Sequence, residues 1–185
     1  MAFDKASSWY ETKYCRKPKN RPWRKLHLSI DPSMEVYGVE VTDNYTSDRE
    51  MINSLIANTD DRQKIRKLIA DGGYYSAKIV QSLYDRGIIP VIPPPSNSVG
   101  QKNDNTSWHD KIVKYIKEKG IYAFYKKYGY CLRNKIEAQF SRSKRCIGSS
   151  FKTRKIESQK QESIAICNIL NLWNSFGKPV TLKIC

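Results

Sequence analysis

The sequence has 185 residues, of which 39% are hydrophobic and 11% are aromatic. This composition can support one globular domain with an apolar core, and it excludes a fully disordered chain. No apolar run approaches the roughly 20 residues that a transmembrane helix needs, and the first residues lack the basic and apolar segments of a secretory signal. The 5 cysteines form no C-x-x-C pair and only 2 histidines are present, which argues against a zinc site and a disulfide framework. We therefore expect reduced thiols in a cytoplasmic protein.

The charge of the chain is strongly positive and unevenly spread. There are 33 Lys and Arg residues against 18 Asp and Glu residues, which gives a net charge of +15. Residues 111–160 hold 15 Lys and Arg against 3 Glu, and residues 13–25 hold a second basic cluster. Clustered positive charge favours binding to a polyanion, because neutralised phosphates release counterions. Ribosomal and other RNA-binding proteins share this feature, so the charge predicts a class of partner and no chemistry.

Predicted strands and helices alternate along the chain after an initial hairpin. Two strands over 23–31 and 35–42 are separated by a turn that contains Pro32. The later elements are a helix that begins at Ser47, a strand over 64–71, a helix over 76–86, a strand that begins at Ile88, and helices over 109–119, 128–148 and 159–176. Residues 96–107 are polar and predict a loop. This order predicts an α/β domain with a mixed sheet flanked by helices.

The predicted helix over 128–148 has one polar face and one apolar face. Ideal geometry of about 100° per residue places four polar side chains within about 60°, along roughly 21 Å of the helix. They are Tyr130, Arg133, Glu137 and Lys144. The adjoining apolar stripe, which we expect to face the core, consists of Leu132, Ile136, Phe140 and Ile147. The same pattern is compatible with an ordinary amphipathic helix in which Arg133 and Glu137 form a solvated salt bridge.

Three acidic residues lie where their side chains can converge. Asp4 precedes the hairpin, Asp71 ends a predicted strand before two glycines, and Glu137 lies on the polar helix face. Carboxylates in such places can bind a pair of hard divalent cations, which activate a nucleophile and stabilise the leaving oxygen of a phosphodiester. Each acid has an alternative interpretation: a terminal residue for Asp4, a turn residue for Asp71 and a salt bridge for Glu137. The competing carboxylates are Asp31, Asp43, Asp48, Asp60 and Asp61.

The polar residues of this helix match a known signature without a gap. The spacing Tyr130-x2-Arg133-x3-Glu137-x6-Lys144 resembles the Y-x2-R-x3-E-x6-K signature of DDE-type transposases from bacterial and archaeal insertion sequences. The segments A-D-G-G-Y, S-R-S-K-R-C-I-G and S-Q-K-Q-E also resemble blocks of that family, in the family's order. The resemblance covers essentially the whole chain. It implies a single ribonuclease H-like catalytic domain over residues 1–185, with a mixed sheet flanked by helices.

The resemblance also implies an activity, which is DNA transposition and recombination by an endonuclease that cuts and joins DNA at transposon ends with two Mg²⁺ or Mn²⁺ ions. The catalytic, metal-binding acids map to Asp4, Asp71 and Glu137. The DNA contacts near the scissile phosphate map to Tyr130, Arg133 and Lys144, and the basic residues Arg24 and Lys25 on the second strand flank the active site. The implied partners are transposon-end and target DNA, not a membrane, and a homodimer in a synaptic complex is compatible with them. The implied location is the cytoplasm, at the nucleoid when DNA is bound.

The chain departs from the family at its N-terminus. Only 3 residues precede Asp4, whereas the family has a full first strand there and an N-terminal region that helps to bind transposon ends. We therefore expect a catalytic fragment that lacks this DNA-binding region. Two alternatives stay open: an inactive remnant that only binds DNA through its basic surface, and an RNA-processing nuclease of the same fold.

Overall fold

The computed structural model of the protein describes residues 24–57, 59, 65–100 and 107–177. Its strands are β1 (Arg24–Ile30), β2 (Val36–Asp43), β3 (Lys67–Ile69) and β4 (Ile89–Val91). Its α-helices are α1 (Met51–Ala57), α2 (Ala77–Asp85), α3 (Trp108–Lys119), α4 (Ile121–Tyr128), α5 (Asn134–Cys146) and α6 (Ile156–Ser175). Short 3₁₀ turns cover Asp48–Glu50, Gly72–Tyr74 and Tyr130–Arg133. The α/β class predicted from the sequence is confirmed, and within these ranges no helix is both long and apolar enough to cross a membrane.

The described strands form two small sheets, whereas the sequence predicted one mixed sheet. β1 pairs with β2 in an antiparallel hairpin, and β3 pairs with β4 in parallel. The second pair is short because Pro90 inside β4 has no N–H to donate and prolines follow from Pro93 onward. The strand predicted around Asp4 lies outside the described residues. The ribonuclease H-like strand order therefore stays a prediction.

The chain folds into two compact units. The hairpin unit contains Met1–Thr46, Ser54–Thr59 and Ala138–Cys185, and the parallel-sheet unit contains Ser47–Asn53 and Asp60–Glu137. The helices α1 and α5 each contribute residues to both units. The prediction of a single domain over residues 1–185 stays a prediction.

In the hairpin unit, apolar residues on one face fix the register of β1 against β2. Leu26 lies opposite Val41, and both side chains are buried together with Leu28. A slip of one residue would move these side chains to the other face, so the register is strongly specified. The helix α6 packs against β2. There the Asn171 side chain accepts a hydrogen bond from the backbone nitrogen of Val36 at 2.7 Å and donates one to its carbonyl at 2.8 Å.

The most buried side chains of α5 are polar, and they lie within or next to the apolar stripe that the sequence predicted. The buried residues of this helix are Gln139 and Ser143, whereas Leu132 at the head of the stripe is 40% exposed. The reason is a backbone carbonyl that needs donors. Met34 has a positive φ of 76° in the turn between β1 and β2, and its carbonyl accepts hydrogen bonds from the amides of Gln139 and, at 2.7 Å, of Asn174. Gln139 on α5 and Asn174 on α6 therefore satisfy the carbonyl of the turn.

In the parallel-sheet unit, helices pack beside β3 and β4 around an apolar core. The helix α2 contacts both β4 and α3, and α3 contacts α4. The indole nitrogen of Trp108 donates a hydrogen bond to the carbonyl of Pro90 at 3.0 Å, so this large side chain is buried with its polar atom satisfied. The core of this unit includes Val80, Leu83, Val91, Ile92, Ile112 and Phe124.

The segment before Glu137 folds differently from the one helix predicted over 128–148. An additional helix, α4, ends at Tyr128, and Gly129 follows in the left-handed conformation with φ 71°, a region that glycine adopts without strain. Residues 130–133 then form a 3₁₀ turn, and α5 begins at Asn134. Side chains three residues apart eclipse in a 3₁₀ turn. Tyr130 and Arg133 therefore still lie on one side, as the sequence predicted for an α-helix.

Candidate functional site

Asp71 lies just beyond the carboxyl end of β3, where the sequence predicted it. Its backbone is extended, with φ −67° and ψ 156°, and its carbonyl accepts a hydrogen bond from Tyr74 at 3.0 Å as the 3₁₀ turn begins. The carboxylate does not cap this turn. The turn interpretation therefore accounts for the backbone of Asp71 and not for its side chain. The carboxyl ends of parallel strands are where α/β folds bind ligands.

Arg133 joins the two candidate acids that the structure describes. Its Nη1 lies 3.3 Å from Oδ2 of Asp71, and its Nη2 lies 2.7 Å from Oε1 of Glu137. The second contact is the i, i+4 salt bridge of the alternative interpretation, but the same guanidinium also reaches a residue 62 positions away in the sequence. The side chains of Asp71 and Glu137 are 64% and 54% exposed. Both carboxylates are thus accessible to a ligand.

The ring of Tyr130 packs against the same guanidinium. The Cζ atom of Arg133 lies 5.7 Å from the ring centroid, within the range of a cation–π contact. The ring of Tyr125 stacks on Tyr130 with a centroid distance of 4.5 Å and an interplanar angle of 16°. Burial raises the pKa of Tyr130; Arg133 opposes this, and Asp71 adds to it. The hydroxyl therefore stays protonated at neutral pH and can donate a hydrogen bond.

The guanidinium of Arg133 has unused hydrogen-bonding capacity. Its Nε is buried and has no hydrogen-bond partner, although buried donors in proteins are usually paired. The cluster holds two carboxylates and one guanidinium, so its net charge is negative when all three are ionised. Such a cluster can attract a divalent cation, and its guanidinium can bind an anionic phosphate.

A further carboxylate, Asp48, lies close to the loop that carries Asp71. The 3₁₀ turn that contains Asp48 packs against the turn Gly72–Tyr74, and Oδ2 of Asp48 would lie 3.5 Å from a Cβ atom placed on Gly73. Burial raises the pKa of Tyr74 well above its ordinary value, and the charges of Asp48 and Asp71 raise it further. The sequence indicated only a helix start at Asp48, because its approach to Asp71 depends on the packing of two distant turns.

The loop after Asp71 is anchored on α3. The Tyr75 hydroxyl donates a hydrogen bond to Nδ1 of His109, whose Nε2 in turn lies 3.3 Å from the carbonyl of Val99. The backbone nitrogen of Tyr75 donates to the carbonyl of Gly72 at 2.9 Å. Burial raises the pKa of Tyr75 to about 12, and the charge of Asp110 contributes to the increase. These hydrogen bonds restrict the conformation of the loop that directly follows Asp71.

The donor set of the acid pair fits a hard divalent cation. Asp71 and Glu137 offer carboxylate oxygens, which Mg²⁺ and Mn²⁺ prefer. Among the described residues, however, no group of three or more His, Cys, Asp and Glu side chains forms a complete metal site. Asp4, the predicted third ligand, lies outside the described ranges. Two of the three predicted acids thus lie within the described residues, and their role as metal ligands stays a prediction.

The remaining predicted DNA contacts belong to the hairpin unit. Nε of Arg24 donates to Oε1 of Gln159 at 3.1 Å, and Nζ of Lys25 donates to the carbonyl of Thr46 at 2.9 Å. Lys144 is partly buried on α5, the helix that also carries Glu137. Their roles in binding DNA stay predictions.

Two of the competing acids have local structural roles. Asp31 accepts hydrogen bonds from the backbone nitrogens of Ser33 and Glu35, and Asp43 accepts from Tyr45 and Thr46. These are the side chain-to-backbone bonds of tight turns, as the sequence indicated for Asp31. Asp60 and Asp61, the other competitors, lie outside the described part of the chain.

Comparison with protein families identifies the chain. The model of the transposase DDE domain matches residues 2–172, while no solved structure gives a significant match. The matched range includes Asp71, Arg133 and Glu137, which meet in the structure. The chain therefore belongs to the transposase DDE domain family, whose members act on DNA in transposition.

Proposed function

We propose that this chain is a transposase catalytic domain of the Y-x2-R-x3-E-x6-K group, with a ribonuclease H-like fold, that cleaves and joins phosphodiester bonds at transposon DNA ends. Asp71 and Glu137 would hold two divalent metal ions together with Asp4. Mg²⁺ or Mn²⁺ bound there would activate the attacking water or hydroxyl and stabilise the leaving oxygen. The observation that carries the proposal is the convergence of Asp71 and Glu137 on Arg133.

Arg133 would have two successive partners in this reaction. While the carboxylates hold no metal, its guanidinium offsets their mutual repulsion. When Asp71 and Glu137 act as ligands, the guanidinium gives up these contacts and can bind a DNA phosphate. Its planar fork of donors fits phosphate oxygens in a bidentate way, which a lysine cannot do.

Other side chains would position the DNA. Tyr130 would donate its hydroxyl to a phosphate oxygen, because its raised pKa keeps the proton and Tyr125 and Arg133 hold its ring. Lys144, Arg24 and Lys25 would neutralise phosphates along the duplex. Residues 111–160 contain 15 basic and 3 acidic residues, and this excess of positive charge supports a polyanionic partner such as duplex DNA. Two copies would pair in a synaptic complex.

The test is a nicking assay on supercoiled plasmid DNA with Mg²⁺, performed beside a DNA-binding assay. Asp71→Asn and Glu137→Gln should each abolish nicking and leave salt-sensitive DNA binding intact. Asp85→Asn and Glu118→Gln are matched controls, since both acids are exposed in the same unit and neither is paired with Arg133. The controls should nick at the wild-type rate.

Equal nicking by the wild type and by both site variants would refute the proposal. The inactive remnant, predicted as an alternative, gains no support from the family match or from the acid pair. It would require that the wild type bind DNA while neither nicking it nor binding Mn²⁺. Cleavage of an RNA–DNA hybrid in preference to duplex DNA would instead indicate the RNA-processing nuclease.

A further inference from the structure

The helix α4 has a tyrosine-bearing face directed away from the core. Phe124 is fully buried, whereas Tyr122 is 83% exposed. Helical geometry places Tyr122, Tyr125 and Lys126 within about 100° of one another, on the side opposite Phe124. Lys126 is exposed as well. A single exposed aromatic residue needs no explanation, but Tyr122 is not isolated.

Tyr122 is the outer end of a series of ring contacts, which we call the tyrosine ladder (Tyr122, Tyr125 and Tyr130). The rings of Tyr122 and Tyr125 meet edge to face, with centroids 6.3 Å apart and an interplanar angle of 86°. Tyr125 and Tyr130 are stacked at 4.5 Å. Tyr130 contacts the guanidinium of Arg133 at 5.7 Å. The ladder thus leads from solvent to the residue that joins the two candidate acids.

The segment that carries the ladder is entirely free of negative charge. Residues 119–135 contain 5 Lys and Arg, 5 aromatic residues and no Asp or Glu. Lys119, Lys126 and Lys127 are exposed on α4 or beside it. This charge suits an anion, and the open ring of Tyr122 suits a flat apolar group. Unpaired nucleotides combine both features in one partner, because each carries a phosphate and a base with two open faces.

We propose that Tyr122 stacks on an unpaired base of DNA next to the cleavage site, while Lys119 and Lys126 contact the adjoining phosphates. The inner rings of the ladder are already stacked on each other, so Tyr122 is the ring that offers a face. A base within a duplex shows only its edges in the grooves, and its faces are occupied by neighbouring bases. Stacking on tyrosine is tolerant of sequence, since every base has an aromatic face.

The position beside the cleavage site rests on the proposed function, whereas the binding itself does not need metal. The experiment therefore uses EDTA and a forked duplex whose single-stranded overhang carries 2-aminopurine. Binding to the wild type should quench the 2-aminopurine fluorescence. Tyr122→Leu should bind the fork about 5- to 150-fold more weakly and lose the quenching. Tyr122→Phe should retain both, because it keeps the ring.

Two comparisons make the test specific. Tyr45→Leu is the matched control, since Tyr45 is 89% exposed and lies in the hairpin unit, and it should behave as the wild type. Blunt duplex without an overhang should bind equally to the wild type and to Tyr122→Leu. Lys126→Gln should weaken fork binding and reduce its dependence on salt. Circular dichroism of each variant checks that the fold is intact.

Unchanged fork binding by Tyr122→Leu would overturn the proposal, as would an equal loss on blunt duplex. Failure of the proposed function has a different outcome. If the quenching of 2-aminopurine depends on Tyr122 but Asp71→Asn nicks as well as the wild type, the base-stacking proposal stands and the proposed metal site is refuted. If nicking depends on Asp71 but the quenching does not depend on Tyr122, the metal site stands and the base-stacking proposal is refuted.

Discussion

Replacing Arg133 by glutamine should make divalent cations bind more tightly to the protein in the absence of DNA. The guanidinium contacts Asp71 at 3.3 Å and Glu137 at 2.7 Å, so its positive charge opposes the binding of a cation to these carboxylates. Glutamine is similar in reach and polarity but has no charge. Its introduction removes the competitor and leaves the mutual repulsion of the two carboxylates, which favours a cation between them.

The size of the effect follows from the exposure of the three side chains. They are 29% exposed for Arg133, 64% for Asp71 and 54% for Glu137. Exposed ion pairs contribute about 0.2–1 kcal/mol each. Two such contacts give about 0.4–2 kcal/mol, which corresponds to a 2- to 30-fold increase in affinity at about 1.4 kcal/mol per factor of ten.

The measurement is calorimetric titration of Mn²⁺ into the DNA-free protein at neutral pH. Arg86→Gln is the matched control, because Arg86 is an exposed arginine just after α2, and it should leave the affinity unchanged. Combining Arg133→Gln with Asp71→Asn should reduce binding below that of the wild type. Coupling is reciprocal, so a short duplex DNA that engages Arg133 should raise the Mn²⁺ affinity of the wild type more than that of Arg133→Gln.

The reasoning would be refuted if a folded Arg133→Gln protein bound Mn²⁺ as the wild type does, or more weakly. The same affinity would mean that the carboxylates and the guanidinium do not compete for one site. Weaker binding would mean that Arg133 holds the acids in the geometry that the metal needs.

Three further predictions concern stability and reactivity. Asn171→Ala should lower the free energy of unfolding by about 1–3 kcal/mol in urea titrations, because the backbone donor and acceptor of the buried Val36 lose their side-chain partner. Partial burial acts to raise the pKa of Glu162. Hydrogen bonds from Thr153 and from the backbone nitrogen of Lys152 outweigh this effect and hold the pKa below its ordinary value of 4.5. The ionised carboxylate thus stabilises the fold at pH values above 4.5, and this stabilisation is lost as the pH falls through the folded-state pKa. Glu162→Gln should therefore show a smaller acid-induced drop in melting temperature than the wild type. An identical drop in the two proteins would contradict this prediction. Burial raises the pKa of the Cys167 thiol to about 12, so iodoacetamide should modify the exposed Cys131 well before Cys167 in the native protein. Mass spectrometry of the alkylated peptides checks the order, which should disappear in urea.

Much of the fold could be predicted because its signals are local. Alternation of apolar residues indicated β1 and β2, and helical periodicity located α2, α3 and α6 to within a few residues. Asp71 was expected at a strand end because a run that contains Ile65, Leu68 and Ile69 stops there before two glycines. The helix α4 was missed, since it has only 8 residues and Gly129 lies inside the predicted helix.

The site itself was only partly predictable. Helix spacing placed Arg133 beside Glu137, and it supplied a salt bridge as the simplest interpretation. The contact of Arg133 with Asp71 crosses 62 residues, and the stacking of Tyr125 on Tyr130 depends on the glycine-ended helix that precedes the 3₁₀ turn. A polar residue, Gln139, occupies a buried position of α5 where an apolar residue was expected, because the carbonyl of Met34 requires a hydrogen-bond donor.

The sequence by itself determined the α/β class, the basic character and the order of the elements, since each depends on composition or on the period of a short segment. Tertiary structure decided which carboxylate meets Arg133, which face of α5 is buried and which tyrosines form a ladder. The contacts of Asp71 with Arg133 and of Met34 with Gln139 join residues that no local period relates. They form because folding brings backbone groups and charges from distant segments together, where each buried polar group needs a hydrogen-bonding or charged partner.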